Sequence, residues 1–143
     1  MKKMILTSIL LLVVQGVAQD VAMAQKPEAT VTSLISKDVS ELRDKEALMI
    51  TVEYPPGNIE AIHRHNAHAF VYVLEGTIVM QVKGEKEVTL NPGETFYEGP
   101  QDIHLVGRNA SNSKPAKFVV FLIKDKGAPV VLPVNNETTK TRH

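Results

Sequence analysis

The sequence predicts an all-β fold, a sandwich or a small barrel. From Leu48 to Lys124 the chain passes through short stretches rich in β-branched and aromatic residues, the side chains that suit a pleated, half-buried surface. Gly, Pro and Asn turn signals interrupt these stretches about every 8–12 residues, the spacing of strands in sandwiches and barrels. A third observation, the grouping of four of the five histidines between His63 and His104, marks where chemistry is to be sought in that fold.

The elements follow in order. "MKK" is a positive start, "MILTSILLLVVQGVA" is an apolar run short for a membrane span, and "AMA" at Ala22–Ala24 is a small-x-small cleavage pattern. Residues 1–24 therefore read as a signal peptide, cleaved after Ala24 or at a second pattern ending at Ala18. The expected destination is the periplasm or the cell exterior. Residues 25–47 form an N-terminal arm: "QKPEATVT" is a polar lead-in, and "SLISKDVSELRDKEA" reads either as a short helix or as strand with turns. The barrel is expected over residues 48–124. "ALMITVEY", "AFVYVLEG", "TIVMQVK", "EVTL", "TFYEG", "HLVGRN" and "AKFVVFLIK" are its strand candidates, with turns at "PPGN", "GEK" and "NPGE". Residues 125–143 are a C-terminal segment, with "APVVLPV" as an edge-strand candidate and a polar tail.

Composition narrows the function. The chain of 143 residues carries 16 basic and 16 acidic side chains, and no Lys/Arg run suggests a nucleic-acid partner. With no Cys there is neither a disulfide nor a thiol nucleophile. The serines lack a nucleophile-elbow pattern. Without Trp and with few aromatics, a pocket here has mainly aliphatic walls.

Along a strand, residues i and i+2 point to one side. His63 and His65 therefore project together, with Arg64 opposite as a surface or rim charge. Two converging neutral imidazoles are half of a site for a first-row metal. A bare His-x-His also occurs as two polar residues on a solvated face, so the pair takes its weight from its surroundings.

Those surroundings resemble the cupin family. Its first motif runs Gly, five residues, His-x-His, three or four residues, Glu, six residues, Gly. Here Gly57 is followed by "NIEAI", His63-Arg64-His65, "NAH", Ala69 and six residues to Gly76. Its second motif runs Gly, five residues, Pro-x-Gly, two residues, His, three residues, Asn. Here Gly93 is followed by "ETFYE", "GPQDI" and His104, with Gly99-Pro100 in altered order and Asn109 one place late. The resemblance implies a double-stranded β-helix, or jelly-roll barrel, holding one divalent metal (Fe, Mn, Ni, Cu or Zn). His63, His65 and His104 carry over as its ligands.

The family's Glu does not carry over, because Ala69 stands in its place, so the site has either three protein ligands completed by water or substrate, or another side chain in the Glu's stead. His68, next door, is the first candidate for a fourth ligand, provided that a bulge in "NAH" turns it inward against the strand phase. Glu98 is the second candidate, as a ligand or as an acceptor for a histidine N–H. Phe70, Tyr72, Phe96 and Tyr97 are expected in the core or at a subunit interface, and Arg108 on the surface. The resemblance implies a metal-dependent enzyme of oxygenase or isomerase type acting on a small molecule. The alternatives are a non-catalytic binder of a small molecule or metal, and a metal-free structural module. A homodimer is expected, with no nucleic-acid partner and no membrane partner once the signal peptide is removed.

Overall fold

The computed structural model describes residues 26–134. The expected signal peptide and the polar tail with His143 lie outside the described residues. Within them there are strands and no helix. The strands are β1 (Thr30–Asp38), β2 (Lys45–Tyr54), β3 (His63–Arg64), β4 (His68–Glu75), β5 (Ile78–Val82), β6 (Val88–Leu90), β7 (Thr95–Glu98), β8 (His104–Asn109), β9 (Ala116–Asp125) and β10 (Leu132–Pro133). They form two five-stranded sheets, ordered β1-β2-β9-β4-β7 and β10-β3-β8-β5-β6. Every pairing is antiparallel.

Period-two alternation builds the core. On β2 the inward set is Leu48, Ile50, Val52 and Tyr54, and on β9 it is Ala116, Phe118, Val120 and Leu122. On β4 it is Ala69, Val71 and Val73. Register aligns these sets into rows across the sheet: Leu48–Leu122–Ala69–Glu98, then Ile50–Val120–Val71–Phe96. Ile78 and Met80 on β5 close the core from the other sheet. Each fully buried Val, Leu or Ile contributes about 1.5–3 kcal/mol relative to exposure, so the rows fix the register of the strands that carry the site.

The segment left open between helix and strand resolves as strand with turns, the later part of β1, a turn and the start of β2; β1 pairs with β2 and is exposed throughout. Its weak periodicity reflects an edge strand with no buried face of its own. The short β10 adds to the other sheet beside β3.

The motif glycines do structural work. Gly57 and Gly76 have φ of 71° and 70°, the left-handed region that costs a side chain strain. A Cβ at Gly76 would also sit 2.6 Å from the Pro115 carbonyl oxygen. Asn109 is buried and ties two loops together. Its amide donates to the carbonyls of Tyr54, Pro55 and Lys114 and accepts from the Ser111 N–H.

Candidate metal centre

Three histidines meet inside the barrel. His63 lies on β3, His65 just beyond it, and His104 opens β8 directly opposite His63 in register. One ring nitrogen from each falls within 4.8 Å of the others. His63 is buried while Arg64 is exposed, as strand alternation requires.

The backbone sets the orientation of each ring. His63 Nδ1 lies 2.8 Å from the Ala61 carbonyl, His65 Nδ1 2.7 Å from that of Val130, and His104 Nε2 2.6 Å from that of Val106. A carbonyl only accepts, so each of these nitrogens carries the proton. The opposite nitrogens, Nε2 of His63 and His65 and Nδ1 of His104, are then turned toward the cluster. Carbonyl-anchored imidazoles with the free nitrogen pointing inward are the usual support for metal-binding histidines.

Glu98 completes the group. It is 3% exposed, with Oε1 3.0 Å from His104 Nδ1 and Oε2 3.6 Å from His65 Nε2. Its strand partner is Ala69. The carboxylate thus enters from the strand beside the position where the family carries it, and the methyl group of Ala69 leaves it room. Glu98 Oε2 and His104 Nδ1 remain buried without a well-aligned hydrogen bond.

These orphaned atoms test whether a cation fits. With Nε2–H given to Val106, a neutral His104 would face the carboxylate with a lone pair 3.0 Å away. A positive charge at Nδ1, whether proton or metal, removes that conflict. The electrostatics agree. Burial would push the Glu98 carboxyl up, but His104 and the other imidazoles outweigh it and hold it below the usual range. Burial would likewise oppose charging of His104, but Glu98 holds that ring above the usual imidazole range. His63, chiefly through burial, is held below it.

His68 is not in this group. The "NAH" segment does turn, with Asn66 at φ 49°, but β4 begins in regular phase. Ala69 is therefore fully buried and His68 exposed on the outer face. There His68 Nδ1 meets the Tyr97 hydroxyl at 2.7 Å, and the two rings stack. The structure therefore brings His63, His65 and His104 together with Glu98 beside them, and leaves His68 on the outer face. Phe70, Tyr72 and Tyr97 share that outer face and are about half exposed, while Phe96 packs on the core. Arg108 pairs with Glu87 at the surface.

A cavity of about 80 Å³ adjoins the cluster. Its walls are mainly aliphatic, among them Ile50, Val52, Val71, Val120 and Leu122. Two polar residues that the sequence analysis did not single out also line it, Tyr54 and Glu60. Tyr54 was within reach, since it falls in phase with Leu48, Ile50 and Val52. Glu60 sits between strands, where no periodicity points it anywhere.

The sequence pattern of the Cupin domain family matches residues 50–122. The chain belongs to the cupin family. Solved structures share its fold, and three cupin-like neighbours illustrate the range. An oxalate oxidase in complex with glycolate matches at 22% identity and a TM-score of 0.58, over 78% of this chain and 57% of that one. The DMSP lyase DddQ from Ruegeria pomeroyi matches at 20% and 0.54, over 64% and 45%. A cupin domain from Bordetella pertussis matches at 22% and 0.54, over 70% and 97%. At these identities the likeness is one of fold, and this cupin spans about half the length of the two enzymes. No curated protein matches it in sequence.

Proposed function

We propose that this cupin holds one divalent first-row metal through His63, His65, His104 and Glu98 and acts as a metal-dependent enzyme on a small molecule admitted to the adjoining cavity. The observation that carries the reading is the set of three imidazoles, each tied through its protonated nitrogen to a backbone carbonyl, converging on a buried carboxylate. Nitrogen donors with one carboxylate suit Mn, Fe, Co, Ni, Cu or Zn. Such an ion, when bound, polarises a substrate oxygen or activates a bound water. The chain's own residues prepare that chemistry. The carbonyls of Ala61, Val106 and Val130 fix the rings, the aliphatic walls exclude bulk water, and Tyr54 and Glu60 offer polar groups beside the donors. Fold alone does not select a reaction, and oxalate oxidase and DMSP lyase among its neighbours show that one barrel hosts different chemistries.

The test is metal stoichiometry after reconstitution with each ion and exhaustive dialysis. Wild type is expected to retain one ion per chain. His63→Ala and His104→Ala are expected to retain none, and retention by both would overturn the reading. The protein is further proposed to be exported and dimeric. Intact mass of protein recovered outside the cytoplasm checks the loss of residues 1–24, and sedimentation equilibrium checks for twice the chain mass.

A further inference from the structure

Among the described residues, no Lys or Arg lines the cavity. Its lining brings together two carboxylates, Glu98 and Glu60, with Tyr54, the three histidines and an aliphatic remainder. Glu60 reaches this position through its backbone. Its N–H donates to the Gly107 carbonyl at 2.7 Å, and the neighbouring Ile59 bridges to Arg108. The close approach of these groups depends on glycine at 107: a Cβ there would lie 3.1 Å from both His104 Nε2 and the Tyr54 hydroxyl and 3.4 Å from Glu60 Cβ. Glu60, Tyr54 and His104 therefore form one corner of the pocket.

We infer that this site selects ligands by charge, admitting a small uncharged molecule with an oxygen or nitrogen donor and an apolar body, and that Glu60 is the residue that turns anions away. The inference rests on the metal reading above and deepens it. A divalent ion, three neutral imidazoles and the Glu98 carboxylate leave one positive charge, which the Glu60 carboxylate cancels. An anion entering such a site must give up its hydration in an aliphatic cavity and gains no net attraction in return. A neutral donor pays no such penalty. A volume of about 80 Å³ has room for roughly half a dozen heavy atoms. Small dianions that need a cationic clamp are thus poor ligands here, whatever the larger enzymes of similar fold accept.

The experiment uses the cobalt(II)-loaded protein and two probes, azide as the anion and imidazole as the neutral donor, each titrated by the visible spectrum of the metal. Glu60→Gln is expected to tighten azide binding about tenfold, with imidazole affinity unchanged within about twofold. Glu60→Asp, which keeps the charge, is expected to behave as wild type toward azide. If wild type takes up no stoichiometric cobalt, the metal reading fails and this inference with it. If cobalt binds and Glu60→Gln leaves azide affinity unchanged, or tightens both probes equally, the charge filter alone is overturned.

Discussion

At the scale of single residues, the proposed metal site turns on the pair Ala69 and Glu98. The two are register partners on adjacent strands and both face inward. A carboxylate on either can therefore address the same space. Glu98→Ala is expected to weaken metal binding by about 100-fold or more. Ala69→Glu in that background should recover much of the loss, as measured by competition with a chelator. His68→Ala is expected to bind metal as wild type does, since that ring lies outside with Tyr97. The metal-free protein should also show a distinctive pH dependence. Glu98, held low, contributes stability above the ordinary carboxylate range that is lost as pH falls through its depressed value. His104, held high, contributes stability below about pH 6.5 that is lost as pH rises through its raised value. Buried His63, held low, acts oppositely and destabilises as pH falls below about 6.5. Urea midpoints of the metal-free protein should therefore decline as pH rises above about 6.5 through the raised His104 value, and the decline should vanish in Glu98→Gln.

At the scale of elements, strand phase explains both what the sequence discloses and what it hides. His63 and His65 are legible because i, i+2 alternation holds across the short β3 and the residue after it. The inward position of Ala69 follows from the same rule, and so does the outward position of His68; the bulge needed to override that phase does not form. Glu98 is harder to read, because its importance depends on β7 pairing with β4, a long-range choice that no local pattern encodes. The carbonyl of Val130 is harder still, since backbone atoms leave no trace in residue identity. The arms show the same limit: β1 reads ambiguously because neither of its faces is buried. Turn chemistry, by contrast, is local and can be checked. Gly76→Ala meets the Pro115 backbone as well as a left-handed φ, and should cost more than about 2 kcal/mol. Gly93→Ala, with φ of 91° and open space around it, should cost about 1–2 kcal/mol from backbone strain alone. Chemical denaturation of the two variants separates contact from conformation.

At the scale of the whole molecule, the centre draws on chain segments far apart in sequence. His63 lies on one sheet with His104 and His65 follows just beyond the strand, Glu98 comes from the other sheet, and the carbonyl that orients His65 belongs to Val130, beyond the last long strand. The order β1-β2-β9-β4-β7 likewise pairs β2 with β9 across most of the barrel. Folds dominated by such distant pairings close their loops before contacts reward them, and they fold slowly. The Val130 clasp therefore gives the centre a history as well as a shape. Segments 63–65, 98, 104 and 130 must all have docked before the donor set exists, so an ion has little to bind in the folding transition state. Ligation absent from that state acts on the unfolding limb of the kinetics. Bound metal should slow unfolding in proportion to the stability it adds, while the refolding rate in water stays unchanged within about twofold. A refolding rate that climbs with metal concentration would instead place assembly of the centre ahead of the barrel.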